Sequence, residues 1–258
     1  MIRNKKKLLL LAALVVLVLA ALPAGLQLIH VPTESPEQGK AFSEFNHRMA
    51  GVFLLGVGIL ALAAFARPNL AFLNKVWPFL FILPGLYLAA MSDPEVWPMG
   101  TQSWIEAFQR NTEARQHKTF AILLLTLGAF ELARARGKLG RLLATWSFPA
   151  LAVFGAVLLF FHPHQVDIVP SAAAQEMPAA PHDMAAMSHG AAGEHGGHVM
   201  DETMMKVMNQ HFWFSMVGFG IALFKFLHDG RSWQKPFVPF LWPALMCVLG
   251  VLLIFYAE

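Results

Sequence analysis

Apolar residues gather in seven runs, at 8–29, 47–66, 76–92, 118–134, 142–161, 211–228 and 236–256, and polar residues concentrate between them. A helix needs roughly 20 apolar residues to cross the hydrocarbon core of a bilayer, and most of these runs come close to that length. A backbone facing lipid must satisfy its own hydrogen bonds, so all seven are predicted to be helical. The expected fold is therefore all-α: a polytopic transmembrane bundle of seven helices, or six if the first run is a cleaved signal. Prolines at 78, 84, 149, 239 and 243 would start or kink helices, which membrane helices tolerate. The third and fourth runs are short and draw on flanking residues.

The first run has two readings. "RNKKK" followed by "LLLLAALVVLVLAAL" has the charged and apolar regions of a secretory signal. The apolar stretch continues through "PAGLQLI", however, and a cut after Ala24 would have Leu22 and Pro23 just before it, a poor site. An uncleaved first helix over 1–29 is the favoured reading, followed by one membrane domain over 30–258.

Charge then predicts the orientation. With the N-terminus inside, the cytoplasmic ends hold 13 of the 19 Lys and Arg, while the opposite side holds 14 of the 16 acids. Only Glu131 and Asp229 fall inside. This is the positive-inside pattern, and it survives removal of the first run. The external side then carries loops 30–46, 93–116 and 162–210, together with the C-terminus.

Composition narrows the chemistry. The chain is 57% hydrophobic and 14% charged, outside the range of an ordinary soluble domain. Basic residues flank apolar runs and form no stripe, so nucleic-acid binding is not expected. One cysteine, Cys247, lies in an apolar run, which excludes a disulfide framework and a thiolate metal motif. No nucleophile–base pair, phosphate loop or paired-carboxylate site is present, so the chain is not expected to be an enzyme.

The stretch "PHDMAAMSHGAAGEHGGHVMDETMMKVMNQH" stands apart. Residues 165–210 are rich in Ala, Gly, Pro, Met and His, cannot bury enough surface to offset ordering entropy, and are expected to form a flexible loop. A short helix over 201–210, continuing into the sixth run, is expected at its end. Its candidate ligands are His182, Met184, Met187, His189, His195, His198, Met200, Met204, Met205 and Met208. Thioether sulfur suits Cu(I), and imidazole suits both Cu(I) and Cu(II). Zinc or nickel would account for the histidines but not for the methionines. The loop therefore reads as a copper collector; the alternative is a low-complexity linker with incidental methionines.

Five further histidines fall at the external ends of four predicted helices: His47, His117, His162, His164 and His211. Histidine at membrane depth is costly without a partner, so each is a candidate functional group. If the helices pack together, these imidazoles can share one metal; the competing reading is that they only mark polar boundaries. A haem b held by two of them is the alternative cofactor, although a transmembrane electron path needs a second pair and only His228 lies near the other face. A structural subunit of a larger membrane complex is a third reading. Glu131 is expected to pair with Arg134, with an ion relay as the functional alternative. Gly51, Gly56, Gly58, Gly218 and Gly220 would permit close helix contact. "SDPEVWPMG" (92–100) reads as a turn with an interfacial tryptophan, and "FLWPALM" (240–246) as a second aromatic anchor.

The motifs "EFNHRMAG", "SDPEVWPMG", "RQHKTFAILLLTLGAFELARARGKL", "FPALAVFGAVLLFFHPHQ" and "WPALMCVLGVLLIFYAE" resemble the membrane domain of CopD-type copper-resistance proteins over most of residues 44–258. The resemblance implies a bacterial inner-membrane protein of copper homeostasis, with its histidine motifs on the periplasmic side. Copper ion, the bilayer and a periplasmic copper chaperone or membrane enzyme complex would be its partners. The positions that match those motifs are His47, His117, His162, His164 and His211. Two departures stand out: "HPHQ" replaces the usual His-Ser-His, and the Met/His loop is expanded. Larger members also carry extra helices, so an uptake role need not transfer whole.

Overall fold

The computed structural model describes residues 36–161, 202–230, 233 and 235–257. The first apolar run and most of the Met/His stretch lie outside the described residues. Among the described residues the chain is helical, with no strand and one isolated bridge between Val96 and Gln102. The helices are α1 (Pro36–Ala66), a 3-10 segment (Pro68–Lys75), α2 (Phe79–Met91), α3 (Trp104–Arg110), α4 (Thr112–Ala135), α5 (Arg141–Phe160), α6 (Glu202–Asp229) and α7 (Val238–Ile254). Six of the seven expected runs thus correspond to long helices. The helix expected for 201–210 is continuous with the sixth run. The third run is preceded by the 3-10 segment, and α3 was not foreseen.

Among the described residues, three stretches are long and apolar enough to cross a membrane: Lys40–Ala66, Pro68–Met91 and Arg141–Phe160; Val238–Ile254 is apolar but shorter. The remaining long helices, α4 and α6, carry charge inside the bundle. Lys118 and Glu131 on α4, and Lys225 on α6, are wholly buried.

Each long helix packs on two neighbours, so that α1, α2, α4, α5, α6 and α7 close a ring in that order. Small residues set its tightest seam, between α1 and α7. A Cβ on Gly51 would lie 2.6 Å from the Gly250 carbonyl oxygen, and one on Gly250 would lie 2.6 Å from the Leu55 nitrogen. Only glycine allows backbones this close. A second glycine seam joins α2 and α4, where Gly85 faces Leu125 and Gly128 faces Ile82. The α4–α5 corner turns on Gly137, at φ +67°, where Gly137 N–H donates to Arg134 O and Lys138 N–H to Ala133 O. This pairing satisfies the last carbonyls of α4 and needs the left-handed region that glycine enters without strain.

Large apolar side chains lie on both sides of the ring. Val52, Leu86, Ile122, Phe154, Leu223 and Val248, one from each long helix, are exposed on its outside. Inside, Val57, Leu127, Ile221, Met246 and Leu249 form the middle of the core. Toward the end where α1 finishes and α2 begins, four aromatic rings close a cycle. Trp77, Phe81, Phe148 and Trp242 lie 5.5–6.1 Å apart, in tilted and edge-to-face contacts. Such contacts add about 0.5–1.5 kcal/mol per pair beyond area burial.

Candidate functional site

Two ends of the bundle carry buried polar groups. At the first, α1 begins, α2 ends and α6 begins. His47 and His211 meet there from separate helices, with ring centroids 5.8 Å apart and planes at 89°. Each ring is fixed by its own helix: His47 Nδ1 lies 2.9 Å from Ser43 O, and His211 Nδ1 lies 2.9 Å from Val207 O. A carbonyl only accepts, so in both rings Nδ1 carries the proton and the neutral ring keeps its lone pair on Nε2. Two imidazoles that ligate one ion at roughly 2.0–2.1 Å place their centroids about 5 to 6 Å apart, depending on bond angle. The observed separation falls in that range.

Tyr256 completes this group. Its ring stacks on His47 at 3.9 Å and 21°, and meets His211 edge-on at 5.8 Å. The tail that carries Tyr256 is tied to α6 by Gln210, whose Nε2 donates to Ala257 O at 2.9 Å while its Oε1 accepts from Ala257 N–H at 3.3 Å. Phe214 lies against both His211 and Tyr256.

His117 is held differently. Its Nδ1 lies 2.8 Å from Asp93 Oδ1. Asp93 Oδ2 accepts from Lys118 Nζ at 2.9 Å and from Ser92 Oγ at 2.6 Å. Lys118 spends its other two donors on Leu88 O (3.2 Å) and Ala89 O (3.1 Å), carbonyls of the last turn of α2. Three donors thus meet three acceptors, which is what lets a fully buried ammonium persist. Burial pushes the Asp93 carboxyl up, but the hydrogen bonds and charge of His117, with Ser92 and Lys118, outweigh it and hold its pKa at about 2. Tyr87 links α2 to this end of α1, donating to Asn46 Oδ1 at 2.9 Å. Asn46 Nδ2 and Gln116 Oε1, beside His47 and His117, are buried with no hydrogen-bond partner. Such atoms cost about 1–3 kcal/mol each when left unpaired, which makes this end suited to a polar guest.

The structure brings His47 and His211 together, while His117 pairs with Asp93. His162 and His164 lie outside the described residues, as do His182, Met184, Met187, His189, His195, His198 and Met200. Met204, Met205 and Met208 occupy the first turns of α6, with Met205 and Met208 exposed. Met204, Met208 and His211 are spaced i, i+4, i+7 and so share one helix face. Among the described residues, no group of three or more His, Cys, Asp or Glu is placed to hold a metal ion. The His47–His211 pair brings two imidazole rings together from separate helices.

Sequence reasoning missed Asp93, Lys118, Gln210 and Tyr256. A signal was present: each of the three histidines follows a carboxamide, in Asn46-His47, Gln116-His117 and Gln210-His211, and the chain's two tyrosines both lie at this end.

The opposite end holds an ionic cluster. The expected Glu131–Arg134 pair forms, with Arg134 Nε 3.0 and 2.9 Å from the two carboxylate oxygens. Lys225 and Asp229 of α6 join it: Lys225 Nζ lies 2.6 Å from Asp229 and 3.6 Å from Glu131, and Arg134 reaches Asp229 at 3.5 Å. Lys225 also sits over the rings of Phe148 and Trp242, at 5.2 and 5.0 Å. His228 lies 3.8 Å from Asp229.

The chain matches no family model, no curated protein and no solved structure.

Proposed function

We propose that this chain is a polytopic protein of the bacterial inner membrane that binds copper at the histidine end of its bundle, as a capture and transfer step in copper homeostasis. The observation that carries the reading is the contact of His47 with His211. The two imidazoles come from different helices, both are tautomerically set by a carbonyl on Nδ1, and their spacing suits one shared ion. The outward-facing apolar side chains support a lipid environment, and the distribution of Lys and Arg supports a periplasmic histidine end. The resemblance to CopD-type motifs leads to the same reading.

Copper is the cargo. Thioethers and imidazoles of 165–210 take it from the periplasm, and the Met204–Met208–His211 face of α6 leads from that segment to the ring pair. His117, with His162 and His164 beyond the described residues, is the reserve of ligands that would complete the coordination. A periplasmic chaperone or a membrane enzyme complex is the recipient. A haem between the same histidines is the competing reading, but Tyr256, flat on His47 and edge-on to His211, fills the space beside the pair that a macrocycle would claim.

The test is the metal content and visible spectrum of the purified full chain. The account expects bound copper without a Soret band, lost on changing His47 and His211 to alanine. Deleting 165–200 should slow loading and leave final occupancy unchanged. A haem spectrum, or copper retained by the double variant, overturns the reading.

A further inference from the structure

Asp93 has no place among the ligands so far described, yet its carboxylate is held from three sides. It is 4% exposed, sits just beyond the C-terminus of α2, and receives three hydrogen bonds on two oxygens. These contacts are not equivalent. Oδ2 takes both Lys118 Nζ and Ser92 Oγ, whereas Oδ1 faces His117 alone. Lys118 is in turn anchored to the last turn of α2, so the carboxylate cannot swing. The chain of contacts runs from the end of α2 through Lys118 and Asp93 to one nitrogen of His117.

Resting on the copper reading above, we propose that Asp93 is a positioning residue for His117: its Oδ1 holds Nδ1–H, which fixes the ring's orientation and reserves Nε2 as the copper-ligating atom. Carboxylates that accept from the second nitrogen of a ligating histidine set its tautomer and raise its basicity, and their loss typically costs about 10–100-fold in metal affinity. His47 and His211 obtain the same fixing from backbone carbonyls of their own helices. His117 lies only five residues past the start of α4 and takes it from the loop after α2 instead. The arrangement therefore ties copper affinity to the α2–α4 packing.

The asymmetry of the contacts dictates what Asp93→Asn should do. Lys118 can only donate, so it will select the amide oxygen and turn the NH2 toward His117. Nδ1 must then accept, and the proton moves to Nε2, which blocks the ligand atom. The near-isosteric D93N is thus expected to bind copper about 10–100-fold more weakly than wild type. D93N in the His117→Ala background is expected to cost nothing further.

The experiment uses the full chain in nanodiscs, with three measurements. Copper affinity is measured by competition with a chromophoric Cu(I) chelator for wild type, D93N, H117A and D93N/H117A. The tautomer of His117 is read from side-chain 15N shifts in the metal-free protein at alkaline pH. Circular dichroism confirms that each variant is folded. Nδ1–H in wild type and Nε2–H in D93N, with affinity loss confined to the background containing His117, is the expected result. An unchanged tautomer in D93N, or an equal loss of affinity with and without His117, overturns the role of Asp93. Absence of copper binding by wild type overturns the copper reading instead, and the tautomer of the metal-free protein still decides whether Asp93 sets the ring.

Discussion

Replacing Gly51 or Gly250 with alanine tests whether the α1–α7 seam sets the histidine end. Either Cβ would lie 2.6 Å from a backbone atom of the facing helix, and ordinary contact begins near 3.4 Å. Backbone cannot rotate away as a side chain does, so the helices must part by about 0.8 Å. His47 lies four residues before Gly51, and Tyr256 six after Gly250, so the opening falls on their 3.9 Å stack. A gap of that size forfeits about a quarter to a half of the dispersion energy of each contact it opens. Overpacking a tight interface costs about 1–3 kcal/mol, and at about 3 °C per kcal/mol for a chain of this size the midpoint should fall by about 3–9 °C. The assay is thermal unfolding of G51A, G250A and the double variant in detergent, beside copper affinity. Because the two added methyl groups press on the same seam, the double variant should lose less than the sum of the singles. Gly140→Ala is the control, since a Cβ there meets nothing within 4 Å. Wild-type midpoints and copper affinity in G51A and G250A would refute the claim that this seam is limiting.

Further outcomes follow from the other contacts. Asp93 is held at about 2, below the unfolded value of about 3.9, so its contribution is full above about pH 5 and fades as pH falls toward 2; the stability gap between metal-free wild type and D93N should narrow by about 2 kcal/mol over that range in thermal scans. Lys225→Met leaves Glu131 and Asp229 with one permanent positive partner, Arg134, beside His228, and should destabilise by about 3–5 kcal/mol, while K225M/E131Q restores the balance and recovers much of it, measured as a double-mutant cycle. Asn111→Ala removes the acceptor for Ala114 N–H and the contact to Glu95, and should cost about 1 kcal/mol in chemical unfolding. Tyr256→Ala removes the ring stacked on His47 and should bind copper more weakly than wild type in the chelator competition.

The positions of the long helices were readable because apolar runs and their charged flanks report directly on burial and chain reversal. Gly51 and Gly58 were legible as contact points, but Gly250 was not, since a glycine inside a continuous apolar run gives no hint of what it faces. His47 and His211 could be grouped because both sit at the same end of an antiparallel pattern. Asp93 and Lys118 could not, because their pairing spans the turn at 92–100, and a buried lysine one residue from a histidine reads in sequence as a surface flank. Lys225 and Asp229 were hidden for the same reason: a charge next to an apolar run looks like a boundary until a partner on another helix brings it inside. The α3 turn was missed because a helix of seven residues is too short for its apolar period to stand out, although its capping box, Ser103 with Glu106, is present.

X-ray absorption at the copper edge of the loaded full chain bears most directly on the central claim that imidazoles from separate helices share one ion. The account predicts nitrogen scattering with the outer-shell pattern of at least two imidazoles, reduced in both H47A and H211A. A spectrum made up of sulfur alone, or one unchanged by either substitution, would contradict it.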